Sequence, residues 1–294
     1  MWKSNSIEVI ITLPNSNIFM EGVRENTSRF HFNILEPEDF ETISPEQWAK
    51  TDVLITDRVI PSPDQASNLK WVQFFSEFDL HQVNAFKKVS PNTVFTSAEG
   101  VDVHAQASDA LHLLLSPEAK VKSLYHATVA IIGYDSLGRE IARILQPFYC
   151  TILAATFNAM NPISFTYQPN ATGDENGDCF DRLYPIQALQ SMLSQCDFAI
   201  NTLPISSKSN SFINAEVFAK TPSGVPVINA THPDVTDLES LQSTIDEGKI
   251  VYLSITDIQN ESGKNDIYIS QFLDLMHLNL NYFADKQPLL NLIQ

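Results

Sequence analysis

Chemistry in this sequence gathers first at Gly133-Tyr134-Asp135-Ser136-Leu137-Gly138. The run follows the apolar stretch Ala127–Ile132 and precedes Arg139–Phe148, which carries Ile141, Ile144 and Leu145 on one helical face. A loop between a buried strand and a helix binds a dinucleotide by close approach of its backbone. A first glycine makes the tight turn, a second admits the pyrophosphate, and a third lets helix pack on strand. Gly133 and Gly138 fill the first and third places, and Asp135 fills the second. Its side chain takes room the pyrophosphate would use and sets one anion beside another. At about 5 Å and an effective dielectric near 20, such a pair costs roughly 3 kcal/mol, on the order of a hundredfold in affinity. Asp135 equally suits the cap of a helix that begins near Leu137. An acid about 20 residues beyond the first glycine would hold the adenosine ribose, and an arginine there would favour a 2′-phosphate. The stretch Ala154-Ala155-Thr156-Phe157-Asn158 has neither. Thr156 or Asn158 offers a neutral hydrogen bond, so NAD and NADP both stay open.

Other reactive side chains carry less. Cys150, Cys179 and Cys196 share no CxxC and no metal-ligand spacing, so they read as small buried thiols. Asp174, Glu175 and Asp178 do not follow the spacing of a calcium loop, and no metal site is expected. His81, His104 and His277 each stand alone, and no nucleophile elbow accompanies them.

The elements around the loop follow from pattern and composition. A chain of 294 residues suits about two domains, and 44% hydrophobic against 18% charged residues allows a sizeable core. The net charge of −17 argues against nucleic acid or an anionic membrane as partner, because phosphates would be repelled. The opening MWKSNSIEVIITLP has no long apolar region, and no run approaches the ~18 apolar residues of a membrane span, which points to a cytoplasmic protein. Strands are expected at Ile7–Thr12, Asp52–Ile55 and Trp71–Phe75, with a helix over Ser44–Lys50 opened by Ser44-Pro45. A helix over Val103–Leu115 then leads into the glycine loop. Strands at Thr151–Ala155, Phe198–Leu203, Val225–Asn229 and Ile250–Thr256 alternate with helices at Ala215–Lys220 and Asp237–Glu247. This alternation predicts an α/β fold with a doubly wound parallel sheet. Residues 158–182, polar and turn-rich, read as a surface loop.

From Gly100 to about Glu261 the chain resembles the D-isomer-specific 2-hydroxyacid dehydrogenase family. VAIIGYDSLGREIARIL resembles that family's nucleotide loop and following helix. The stretch from Asn201 to Ile250 resembles its long second signature, through Leu203-Pro204, Ile213-Asn214-Ala215-Glu216, Gly224, Asn229, Asp237, Leu241 and Gly248. LKWVQFFSEFD and EGVDVHAQASDALHLLL match more loosely. The resemblance implies a Rossmann coenzyme domain, residues 100–271, inserted in a flavodoxin-like catalytic domain formed by residues 1–99 and 272–294. It implies hydride transfer between NAD or NADP and a small anionic 2-oxo or 2-hydroxy acid.

An arginine would orient the substrate, a histidine would move the proton, and a glutamate would raise that histidine's pKa. Carried onto this chain, His232 stands at the arginine, Gln271 (or Ser270) at the histidine, and Glu261 at the glutamate. Gln271 exchanges no proton, so a contribution of roughly 10²–10⁴-fold would vanish. The aspartate near the nicotinamide amide becomes Thr256, or Asp257 with a one-residue slip. The substrate-binding loop reads Ser76-Glu77-Phe78-Asp79, with Phe78 in place of a glycine and two acids facing an anion. The expected coenzyme residues are Gly133 to Gly138, Thr156, Leu203, Pro204, Asn229 and Thr256. The short linker 116–126 stands where the family carries an arm that helps its homodimer form, which weakens that expectation. Three functions follow, an oxidoreductase with weak, altered or lost catalysis, a catalytically silent dinucleotide-binding or regulatory relative, or an enzyme of another class on the same scaffold.

Overall fold

The computed structural model describes residues 6–14, 16–22, 28–76, 78–121, 123–160, 166–169, 172–174, 176–206, 208–209, 211–257 and 266–293. The chain forms two compact units, Met1–Val101 with Lys264–Gln294, and Asp102–Gly263. The C-terminal helix Asp266–Ala284 belongs whole to the first unit.

The first unit contains strands β1 (Ile7–Thr12), β2 (Phe30–Leu35), β3 (Val53–Thr56), β4 (Trp71–Phe74) and β5 (Val94–Thr96). Helices α1 (Ser16–Gly22), α2 (Pro45–Trp48) and α3 (Leu80–Val89) lie between them in the chain. The strands pair in parallel in the order β2-β1-β3-β4-β5, the flavodoxin-like winding. β3 and β4 are buried along their whole length, which explains their near-continuous apolar composition. Ser44 opens α2 with a capping box to Gln47, as its Ser-Pro start suggests. A buried polar network crosses this core. The Trp71 indole donates to Thr96 Oγ1 at 2.8 Å, and Thr96 Oγ1 donates to Gln73 Oε1 at 2.7 Å. Asn279 of the C-terminal helix donates to the same Gln73 oxygen at 3.2 Å. The Ile293 N–H then pairs with the Phe95 carbonyl at 2.9 Å, covering the β5 edge.

The second unit begins with α4 (Val103–Leu115), then β6 (Thr128–Ile132), α5 (Ser136–Leu145), β7 (Thr151–Thr156), β8 (Arg182–Pro185), α6 (Leu189–Leu193) and β9 (Phe198–Asn201). β10 (Val225–Asn229), α7 (Leu238–Asp246) and β11 (Ile250–Ser254) complete it. Its parallel sheet runs β11-β10-β9-β6-β7-β8, so the winding reverses between β6 and β9. Ligands bind at such a switch point, outside the carboxyl ends of the strands. One core lies under α4 and α5, and a second fills the opposite face around Met192, Leu193, Phe218 and Leu241.

Two expectations from the sequence change. Residues 215–220 form successive turns with i→i+3 bonds, such as Phe218 N–H to the Ala215 carbonyl, and no helix. Asn214 Oδ1 accepts the Val217 N–H, and Thr221-Pro222 closes the stretch before a helix could propagate. Among the described residues of 158–182 the surface loop is only partial: Asn158, Met160, Asn176 and Asp178 are exposed, but Tyr167, Pro169, Gly173 and Asp174 are buried. Among the described residues no helix is long and apolar enough to cross a membrane.

Candidate functional site

The carboxyl edge of the second sheet is organised around Gly133. Its φ of +104° is a conformation L side chains rarely adopt, and a Cβ there would lie 2.9 Å from the Leu203 nitrogen. Gly138, in the first turn of α5, touches the same point: an added Cβ would meet the Gly133 carbonyl oxygen at 2.2 Å. The first and third glycines thus perform the packing expected of them. Thr202 joins the two strands at the switch point, its hydroxyl donating to the Gly133 carbonyl at 2.8 Å.

Asn201 Nδ2 donates to Asn229 Oδ1 at 2.7 Å, and Asn229 Nδ2 to the Thr231 carbonyl at 3.1 Å. Thr231 Oγ1 donates back to the Leu203 carbonyl at 2.9 Å. The expected residues Gly133, Gly138, Leu203 and Asn229 therefore lie in one hydrogen-bonded edge. Asn201, Thr202 and Thr231 belong to it too, although the sequence reading passed them over. Their signal was a polar pair ending the otherwise apolar Phe-Ala-Ile run, where burial demands a partner for every polar group.

Asp135 occupies the N-cap position of α5, which starts at Ser136, but makes no side-chain capping bond. Burial pushes its carboxyl up from the ordinary range, while the Arg139 guanidinium pulls the other way. Ser136 is 1% exposed. Its hydroxyl donates to the Tyr167 carbonyl at 2.8 Å and lies 2.7 Å from Thr166 Oγ1. Tyr134 donates its hydroxyl to Asp174 Oδ2 at 2.6 Å, with Arg139 stacked 5.0 Å from its ring centre. Arg139 also donates to the Asp174 carbonyl. Burial alone would raise the Asp174 carboxyl, but Tyr134 and the Cys179 and Asp178 N–H groups hold it below its usual value. Glu140 is 1% exposed and accepts from Arg143 Nε and Nη2 and the Gly173 N–H, with His104 Nδ1 at 3.2 Å.

Thr156 ends β7, and its hydroxyl accepts the Asn158 N–H at 3.3 Å. Phe157 beside it packs edge-on against Phe212, 5.6 Å away. Thr256 follows β11 in a short 3-10 turn, its hydroxyl 2.8 Å from Ser254 Oγ. His232 follows β10, its Nδ1 accepting the Asp234 N–H at 3.2 Å with the Asp234 carboxylate at 3.8 Å. Gln271 lies inside the C-terminal helix of the first unit. Glu261 and Glu77 lie outside the described residues.

Asp79 is engaged structurally. It caps α3, accepting the His81 and Gln82 N–H groups, while Phe78 stacks on Phe74 at 5.4 Å. His277 is likewise occupied, bonded to the Gly22 carbonyl at 2.7 Å. The three thiols are free, and burial pushes Cys179 up to about 11 and Cys196 up to about 12. They are poor nucleophiles.

Residues 104–271, more than half of the chain, match the profile described as "D-isomer specific 2-hydroxyacid dehydrogenase, NAD binding domain". A D-lactate dehydrogenase from Curvularia clavata is 24% identical over 48% of this chain and 35% of its own length. The chain thus spans about a third of that curated relative. Among solved structures, a D-isomer specific 2-hydroxyacid dehydrogenase from Xanthobacter autotrophicus Py2, in complex with NADPH and MES, superposes with a TM-score of 0.70 at 15% identity, covering 98% of both chains. A family protein from Aeromonas salmonicida gives 0.67 at 16% identity over 99% of both chains. At such identities the likeness speaks for the fold.

Proposed function

The chain belongs to the D-isomer-specific 2-hydroxyacid dehydrogenase family, and from that premise we propose that its second unit binds a nicotinamide dinucleotide while hydride transfer with small 2-oxo or 2-hydroxy acids is weak or lost. One observation carries the binding reading: Gly138 approaches Gly133 so closely that no side chain fits between them, which sets the start of α5 against the end of β6. The N–H groups from Ser136 to Gly138 are the donors for a pyrophosphate at that helix start. Thr156 is the hydroxyl on the ribose side, and its lack of charge leaves NAD and NADP as equal candidates. Bound there, the coenzyme would supply the hydride acceptor or donor.

The weakness of the chemistry rests on the family resemblance together with the local chemistry of each residue. His232 stands at the arginine position with Nδ1 already accepting from Asp234, so it offers one point of contact where a guanidinium offers a planar fork. Gln271 stands at the histidine position and has no proton to exchange. A silent, dinucleotide-binding or regulatory role is the second reading, favoured by the burial of Ser136 at the coenzyme loop.

Calorimetric titration of the full chain with NAD, NADH, NADP and NADPH tests this. Micromolar dissociation constants are expected for at least one of the four, and a screen of 2-oxo acids with that coenzyme should then give turnover far below that of an intact site. Absence of binding up to millimolar concentrations would sink the coenzyme reading.

A further inference from the structure

The stretch between β7 and β8 has one ordinary task, to return the chain along the α5 face to the start of β8. Cys179, Phe180 and Leu183 do this, packing on the core under α4 and α5. Thr166, Tyr167, Gly173 and Asp174 do something the return does not require. Their bonds run to the loop and first turns of α5, at Tyr134, Ser136, Arg139 and Glu140. A helix start offers N–H groups and the positive end of a dipole to an anion. At α5 a carbonyl and a hydroxyl of the chain itself hold the side chain of the first helical residue. From the β7 side Phe157 reaches Phe212, which follows β9, and this ring pair spans the same edge over β6.

We propose that the described residues between Thr166 and Phe180 act as an internal stopper at the dinucleotide phosphate site, and that coenzyme enters when Ser136 and Tyr134 are released from it. This rests on the dinucleotide-binding reading above and adds its regulation. Asp174 is the latch. Its carboxylate gathers the Tyr134 hydroxyl and the N–H groups of Asp178 and Cys179, folding the segment and fastening it in one group. The Gly173 N–H bond to Glu140, 2.8 Å long, is a second fastening one residue away. A stopper that must open lowers apparent affinity by the fraction of molecules open, so loosening it raises affinity without a new contact to ligand.

The test uses the full chain with NADH and NADPH. Dissociation constants are measured for the wild type, Asp174→Ala and Tyr134→Phe, and folding of each is checked by circular dichroism. Hydrogen exchange of the 166–180 backbone in the wild type is followed with and without coenzyme. The stopper predicts variants that bind about tenfold tighter, as expected for removing one or two hydrogen bonds of the closed state. It also predicts faster exchange of that segment when coenzyme binds. Equal constants in wild type and variants, with exchange unchanged on binding, would overturn the stopper and leave the coenzyme reading standing. No binding by any folded form would remove the coenzyme reading, and the stopper with it. Should Asp174→Ala fail to fold, Tyr134→Phe and the wild-type exchange decide.

Discussion

Asp135 sits one residue ahead of α5, where burial favours its neutral form against the pull of Arg139. The raised pKa means that the folded protein holds this proton to higher pH than an unfolded chain would. The carboxylate's cost to folding is therefore present above that pKa and relieved as pH falls through it. A pyrophosphate at the helix start adds a like charge and raises the pKa further. Affinity for NAD is thus expected to tighten as pH falls through that raised pKa, because the neutral side chain drops a repulsion of roughly 3 kcal/mol at most. Asp135→Asn keeps the shape and removes the charge. It should bind more tightly than wild type above that pKa and lose most of the pH dependence, as read by titration over a series of pH values. A variant that keeps the full wild-type slope would assign the dependence to another group. The position was legible in the sequence because the glycine pattern names its own middle residue. What holds its neighbours was not legible, since Asp174 and Tyr167, the partners of Tyr134 and Ser136, lie more than thirty residues further on.

At the scale of elements, the junction of β6 and α5 depends on Gly138 more than on any single bond. A Cβ at this position would sit 2.2 Å from a backbone oxygen and 2.9 Å from Thr202 Oγ1, so strand and helix must separate to admit it. Gly138→Ala is expected to destabilise the protein by about 1–3 kcal/mol, the usual cost of overpacking, despite alanine's better helix propensity. Urea unfolding monitored by circular dichroism measures this. A neutral or stabilising outcome would show that the helix slides away at no cost. Elements whose pattern is local were read well: α4 spans Val103–Leu115 as expected, as do β1 and β10 their own runs. The stretch 158–182 was misread because composition reports solvent preference and not partners. Thr166, Gly173 and Asp174 bond to α5 and the loop before it, and polar residues satisfied at a distance look the same in sequence as polar residues facing water. Residues 215–220 failed in the opposite way. They have helical composition, but Asn214 and Pro222 leave too few residues for a helix to propagate.

At the scale of the molecule, one unit is continuous in sequence and the other is not. Asp102–Gly263 carries its own six-stranded sheet with a core on each face. The first unit closes only with the last thirty residues, because Phe272, Leu275, Met276 and Leu280 of the C-terminal helix are each fully buried. Asn279 from the same helix completes the polar network on Gln73, and Ile293 pairs with β5. Removing residues 264–294 would expose that apolar surface and leave buried polar groups without partners, a loss of the same order as the roughly 5–15 kcal/mol by which a domain is usually stable. A chain ending at residue 263 should therefore keep the cooperative melting of the second unit and lose ordered structure in residues 6–101. Segment 102–263 produced alone should melt in a single cooperative step. Both are read by thermal unfolding together with hydrogen exchange, which reports each unit separately. Protected amides on β3 and β4 in the truncated chain would refute the dependence, since those buried central strands are the last part of the first unit to open while any of its core survives.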